Sequence, residues 1–245
     1  MKKKIKELFK YRKLPKILKP IPKGERQELL KGLINLQITI YKLDQYLEEN
    51  WILKQSKLQL HWDYIYEEMR QLGYTRKKAF PIMSHIRRYQ LHEQQLRENL
   101  SPSRLNKQYY YHYKSCDVRL IRRIINDRLS DDKNEIDDWR SFDLITEIND
   151  DVTDVFEDQH TINGNLFLIT IMEIGINLAQ KEFINLINEI LEIDPFQSRT
   201  PNKLQLQIMK WTNQEAEATK KLIKKNCEIL SQANSIQTKL WSFSK

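Results

Sequence analysis

The chain has 245 residues, enough for one large domain or two small ones, with 5 glycines, 7 prolines and 2 cysteines. So little turn chemistry excludes an all-β fold, and two cysteines without metal spacing, Cys116 and Cys227, exclude a disulfide scaffold. The formal net charge of +8 would suit a nucleic-acid binder, but the charge is gathered at one end, so a general nucleic-acid surface is not expected.

Residues 1–24 read as a basic, proline-bounded arm ahead of a single α-helical domain over 25–245. MKKKIKELFKYRKLPKILKPIPK carries ten Lys or Arg against the single acid Glu7, which exceeds the whole net charge and leaves the rest near neutral. Ile5, Leu8, Phe9, Leu14, Ile17 and Leu18 are interleaved with these charges. The arm is either a solvated or loosely packed tail, or a contact with an anionic membrane surface or RNA.

Beyond the arm, apolar residues recur at helical spacing as Leu30, Leu33, Ile34, Ile38, Tyr41 and Leu47. Further helices are predicted over 53–72, 76–98, 104–129, 138–159, 165–192 and 201–240. Candidate helix ends lie at Pro81, Pro102, Pro195 and Pro201. Asp137 is a candidate N-cap for the helix over 138–159, Asn163-Gly164 its stop, and Thr200-Pro201 the start of the last helix. The most apolar stretch, Leu166 to Ala179, is broken by Glu173 and Asn177 and is too short to span a bilayer, so it reads as a buried helix. With no secretory apolar core at the N-terminus, a soluble cytoplasmic protein is expected, membrane-peripheral if the arm binds lipid.

The informative segment is DDWRSFDLITEINDDVTDVFEDQHTINGN, residues 137–165. On a continuous helix, Asp143, Glu147, Asp150, Asp151, Asp154, Glu157 and Asp158 would share an arc of roughly 120°. Leu144, Ile145, Ile148, Val152, Val155 and Phe156 would fill the opposite, packing arc. A solvated acidic face is the plain reading, but three features resist it. Like charges at i,i+4 cost roughly 0.2–0.5 kcal/mol per pair. No Lys or Arg occurs from Ser141 through Gln180. The acids also crowd the C-terminal half of the helix, where the macrodipole disfavours anions. A compensating cation is therefore expected from outside the segment, and Mg²⁺, which takes oxygen ligands and is commonly shared between carboxylates and substrate phosphates, is the natural candidate.

Asp150, Asp151 and Asp154 form D-D-x-x-D, and this motif resembles the first aspartate-rich motif of class I isoprenoid synthases. Asp154-Val-Phe-Glu-Asp158 resembles the D-[VI]-x-E-D motif of the phytoene and squalene synthase branch. The resemblance covers about fifteen residues and otherwise extends only to helical character and approximate size. It implies an all-α, single-domain helical bundle of isoprenoid-synthase type that binds and ionises a prenyl diphosphate. Asp150, Asp151 and Asp154 would be catalytic metal ligands for Mg²⁺, with Asp158 in support. In such enzymes an upstream arginine senses diphosphate, which points to Arg119 and Arg123 here. The alternative for these arginines is pairing with the acidic helix or with Asp117 and Asp127.

The pattern departs from the family downstream. In place of a second metal motif there are Glu173, Asn177, Lys181 and Asn185 at helical spacing, with a lysine where a hydroxyl ligand belongs. Upstream, Asp63 and Glu67 in HWDYIYEEM resemble D-x-x-x-D but also suit an ordinary helix surface. The five histidines show no zinc-hydrolase pairing, and the Tyr109, Tyr110, Tyr111 and Tyr113 run reads as core packing before base stacking. The leading expectation is thus a Mg²⁺-dependent terpene or prenyl synthase acting on a prenyl diphosphate. The rival is a non-catalytic helical adaptor, membrane- or RNA-associated, that uses the basic arm and the acidic face. Chain length, product and oligomeric state are not legible.

Overall fold

The structure is a computed structural model that describes residues 1–98, 105–129, 136–193, 200–233 and 236. Every regular element among the described residues is helical, as the scarcity of turn residues predicts. In chain order these are α1 (Lys2–Tyr11), α2 (Leu14–Ile17), α3 (Lys23–Glu49), α4 (Gln55–Gln71), α5 (Arg76–Arg97), α6 (Lys107–Lys114), α7 (Cys116–Asn126), α8 (Arg140–Thr153), α9 (Leu166–Ile174), α10 (Ile176–Glu192) and α11 (Lys203–Ser231). Among the described residues no helix is long and apolar enough to cross a membrane.

The contacts divide the chain into two compact units where the sequence predicts one helical domain with an arm. The first comprises Met1–Leu91 and Cys116–Asn134, the second His92–Ser115 and Glu135–Lys245. In the first unit the basic arm is folded. Ile5 and Phe9 on α1, and Leu14, Ile17 and Leu18 around α2, are buried, and α1 packs on α3. Lys13, at φ 61°, turns the chain between α1 and α2, and Pro15 sits in the first turn of α2, where its missing N–H costs nothing. Helix α3 buries Leu29, Leu33, Ile34, Leu36, Ile40, Leu43 and Leu47, whereas Leu30, Ile38 and Tyr41 of the sequence pattern are only partly buried, because α1, α4 and α7 all pack on the helix and set which side is covered.

The second unit is built around α8. Every residue from Ser141 to Ile148 is buried, and α8 packs against α6, α9, α10 and α11. Its core joins Leu144, Ile145, Ile148 and Val152 to Phe167, Phe183, Ile187 and Ile223.

Several predicted boundaries shift for local reasons. The helix over 104–129 breaks at Ser115, whose hydroxyl donates to the carbonyl of His112 at 3.0 Å. The one over 165–192 breaks at Gly175, with φ 84° and ψ 161°. Asp137 does not cap α8, because a 3-10 turn over Ile136–Trp139 leads into it. Thr200 does not start the last helix. Asn202 caps α11 in a reciprocal capping box with Gln205, so Pro201 lies just outside. Pro81 sits inside α5. Pro102, Pro195 and the predicted helix end at 240 lie outside the described residues.

The backbone at Gly175 falls in a region essentially reserved for glycine, while a Cβ there would meet no atom within 4 Å. Gly175→Ala should therefore cost about 1–3 kcal/mol through backbone strain alone. Gly24→Ala, equally open but in the first turn of α3, should be neutral or stabilising by about 0.5 kcal/mol. Urea unfolding of both variants checks the contrast.

Candidate functional site

The acidic segment does not form one carboxylate face. Helix α8 ends at Thr153 with Asp154 as its C-cap, so Asp154, Glu157 and Asp158 lie on the following turn and on a 3-10 turn, Asp158–His160. Asp143, Glu147 and Asp151, one stripe at i, i+4 and i+8, are buried, while Asp150 and Glu157 are exposed and Asp154 and Asp158 are partly covered. Phe156, assigned by the pattern to the packing side, is exposed.

Asp151 is the centre of the arrangement. Its side chain is 0% exposed. One oxygen, Oδ2, accepts from the Tyr111 hydroxyl at 2.7 Å and from the Leu166 N–H at 2.8 Å. The other, Oδ1, accepts from the Lys114 ammonium in an ion pair. Leu166 opens α9, so the carboxylate also sits at the positive end of a helix dipole, on an N–H that the helix leaves unsatisfied. Asn165, the N-cap of α9, accepts from Leu168 N–H at 2.8 Å. Its amide donates to the Asp151 carbonyl at 2.7 Å and to Asp158 Oδ2 at 2.6 Å. The Asn226 amide, on α11, donates to the Val152 carbonyl at 2.6 Å. These amides satisfy carbonyls in the last turn of α8 that have no helical partner.

The cation expected from outside the segment is therefore a side chain. Lys114, the last residue of α6, is 17% exposed at its side chain. Burial works against its ammonium, but Asp151 first, then Asp150 and Glu147, outweigh that and hold its pKa well above the ordinary lysine value. Burial first, then the charge of Asp151, pushes the Tyr111 phenol well above its usual value. At the rim, burial, with repulsion from Asp150 and Asp158, raises Asp154 from 3.8 to about 6. Burial likewise raises Asp158, against the Asn165 hydrogen bond.

As arranged, these residues do not fit a Mg²⁺ site. Both oxygens of Asp151 are taken by protein donors, one of them the Lys114 ammonium. Among the described residues no three His, Cys, Asp or Glu side chains converge to hold a metal. Asp150, Asp154 and Asp158 share the neighbourhood of Lys114, which acts electrostatically on each of them.

The predicted diphosphate residues belong to the first unit, on α7. Arg119 donates to His85 Nδ1 at 3.2 Å, where burial, then Arg119 and Arg88, lower the imidazole pKa and favour the neutral acceptor. Arg123 pairs with Asp127 at 3.3 Å, the alternative that the sequence left open. Asp63 and Glu67 also lie in the first unit and line a groove of about 510 Å³ with Tyr66, Arg70, Tyr74 and Arg76. Glu67 is held by Arg70 at 2.6 and 2.8 Å. Gly175 interrupts the spacing from Glu173 to Asn177, Lys181 and Asn185, placing the first on α9 and the others on α10.

Tyr111, Lys114, Asn165 and Asn226 were missed from sequence. Asn165 had a signal, an Asn directly before the apolar run Leu166–Ile174. Lys114 had none, since Arg119, Arg122, Arg123, Arg128, Lys133 and Arg140 all lie between it and the cation-free stretch. Comparison with known proteins finds no matching family model, no matching curated protein and no matching solved structure.

Two outcomes follow. Removing one partner of a buried ion pair leaves an uncompensated charge and costs about 3–5 kcal/mol. Lys114→Met and Asp151→Asn should each approach that loss, and the double variant should cost clearly less than their sum in a denaturation double-mutant cycle.

For Asp154 the folded pKa of about 6 exceeds the unfolded 3.8. The folded state then holds more protons between those values, so this group's contribution makes stability fall as pH rises from 3.8 to about 6 and stay level above. Asp154→Asn should remove that slope and, after discounting for solvent screening, stabilise the protein at pH 7 by about 1 kcal/mol. Urea melts at pH 4 and pH 7 read both effects.

Proposed function

We propose that the chain is a non-catalytic helical adaptor, which presents a basic surface on α1 and α2 to an anionic partner and the acidic end of α8 to a basic one. The observation that carries this reading is the Lys114 ammonium on Asp151. It supplies from within the fold the positive charge that the D-D-x-x-D sequence would otherwise take from Mg²⁺. Two further features support it. The exposed acids Asp150 and Glu157 leave negative charge at the surface of the second unit, and the exposed lysines of α1 leave positive charge on the first. Each surface is held on ordered, packed helices and needs no substrate cavity.

The prenyl synthase reading retains one support, the motif itself, with Asp150 exposed and Asp154 half-covered at the helix end. For that reading to operate, Lys114 would have to leave Asp151 and the buried carboxylate would have to exchange two further donors for a metal. Nothing in the hydrogen bonding of Tyr111 or Leu166 favours such an exchange.

Thermal unfolding with Mg²⁺, with a prenyl diphosphate and with both together separates the two. A ligand that binds only the folded state at a hundredfold excess over its Kd adds about 2.7 kcal/mol. That corresponds to several degrees in Tm for a chain of this size. The adaptor reading predicts no rise. A rise that needs both components and disappears in Asp150→Ala/Asp154→Ala would overturn it in favour of the synthase.

A further inference from the structure

The basic face of the first unit has features that identify its partner. Helix α1 is amphipathic, but its apolar side is already occupied: Ile5 is 0% and Phe9 2% exposed, against α3. At 3.6 residues per turn, Lys2, Lys3, Lys6 and Lys10 share an arc of about 100°, and all four are exposed. Lys4, Lys16, Lys19 and Lys23 are exposed as well. Among the described residues none of these eight lysines is held in an ion pair. The single arginine of the segment, Arg12, is instead buried at 6% exposure, and its carbonyl accepts from Arg122 Nη2 at 3.1 Å.

A surface made of lysine alone offers point charges without planar forks. Base recognition and single-strand binding draw on arginine forks and exposed aromatic rings. Of the two rings on α1, Phe9 faces inward, and Tyr11 is partly buried with the Arg12 guanidinium over it at 5.7 Å, outside the arc of the lysines. A plane of anionic headgroups needs only point charges, and clusters of four to eight lysines on an amphipathic helix are what such planes attract. Charge segregation acts in the same direction. The first 23 residues carry more than the entire net charge of +8, so the excess positive charge is concentrated around α1 and α2 and would draw them toward an anionic plane.

We propose that α1 and α2 dock the protein on an anionic lipid bilayer through their lysines, electrostatically and without insertion of the apolar side, which the fold has already buried. This rests on the adaptor reading, in which the face meets an anionic partner. It differs from an inserted amphipathic helix in one respect that can be measured: contact with the bilayer adds no apolar burial, so binding depends on headgroup charge and is abolished by salt.

Flotation of the full chain with vesicles of phosphatidylcholine, with and without phosphatidylserine, tests this at low and high salt. Retention on phosphatidylserine vesicles only, lost at high salt, is expected. Each surface lysine is worth about fivefold in partitioning, so Lys2→Gln/Lys6→Gln/Lys10→Gln should bind about a hundredfold more weakly. These side chains are exposed, and an unchanged thermal melt confirms that the variant folds. Equal binding to both vesicle types, no binding to either, an unaffected triple variant, or preference for a single-stranded RNA over vesicles of equal phosphate content would each overturn the assignment. Failure here with no response to Mg²⁺ and prenyl diphosphate removes the lipid partner alone, whereas a thermal response to both ligands removes the adaptor reading beneath it.

Discussion

A carboxylate with no access to water has to be neutralised where it stands, and in the second unit that constraint falls on Asp151. Its two oxygens take a phenol, a backbone N–H at a helix start and an ammonium. Those donors come from α6, α9 and again α6, so satisfying one charge fixes where two helices meet α8. The same region solves a second problem. The last turn of α8 leaves carbonyls without partners, and the Asn165 and Asn226 amides reach them from the start of α9 and from α11. Buried ion pairs contribute little net stability over a well-packed apolar substitute, while a broken one is costly. The role of Lys114 and Asp151 is accordingly positional: alternative packings of these helices would strand a charge.

The crowding of acids at a helix C-terminus, which looks unfavourable in isolation, becomes intelligible in this setting. Asp151 lies at the repulsive end of its own helix dipole, but the attractive end of α9 and the Lys114 charge lie against it and offset that repulsion. The remaining acids retain part of the cost, which appears as the raised pKa of Asp154. Motif resemblance and site chemistry thus separate in this chain. The sequence D-D-x-x-D is present, but the central carboxylate turns inward to a lysine, and function has to be argued from the arrangement of side chains.

Much of the fold follows from local pattern. The helices α3, α8 and α11 could be read directly, since a 3.6-residue period needs no knowledge of neighbours, but their faces only in part. Leu33, Ile34 and Leu47 of the α3 pattern are buried, while Leu30, Ile38 and Tyr41 are partly covered. Of the stretch Leu166 to Ala179, Leu166–Ile171 are buried, whereas Met172, Ile174 and Leu178 are exposed. The breaks at Ser115 and Gly175 could not, because each splits a run whose apolar residues continue on both sides; what differs is one residue's backbone. The acidic stripe was the largest departure. Periodicity separates apolar from polar residues, and it assigns the polar ones to solvent by default. Asp143, Glu147 and Asp151 lie on a helix packed by α6, α9, α10 and α11, and for Asp151 it is groups distant in sequence, the Lys114 ammonium and the Tyr111 hydroxyl, with the Leu166 N–H, that make an inward aspartate tolerable. The absence of cations from Ser141 through Gln180 pointed correctly to a cation from elsewhere, but it carried no information on whether that cation was an ion or a side chain. In the basic arm the converse held. Charge density suggested a loose tail, yet Ile5, Phe9, Leu14 and Ile17 recur closely enough to bury one side of it.

The central claim is that Lys114 is the resident counter-charge of the aspartate motif. The direct test is a pH titration of the lysine side-chain ammonium signals by ¹⁵N-detected nuclear magnetic resonance, with Lys114 assigned by substitution. The account predicts that its signal persists, protonated and slow to exchange, well above the ordinary lysine value of 10.5. A Lys114 signal that is lost at or below the ordinary lysine value would contradict it and return the D-D-x-x-D carboxylates to the search for an external cation.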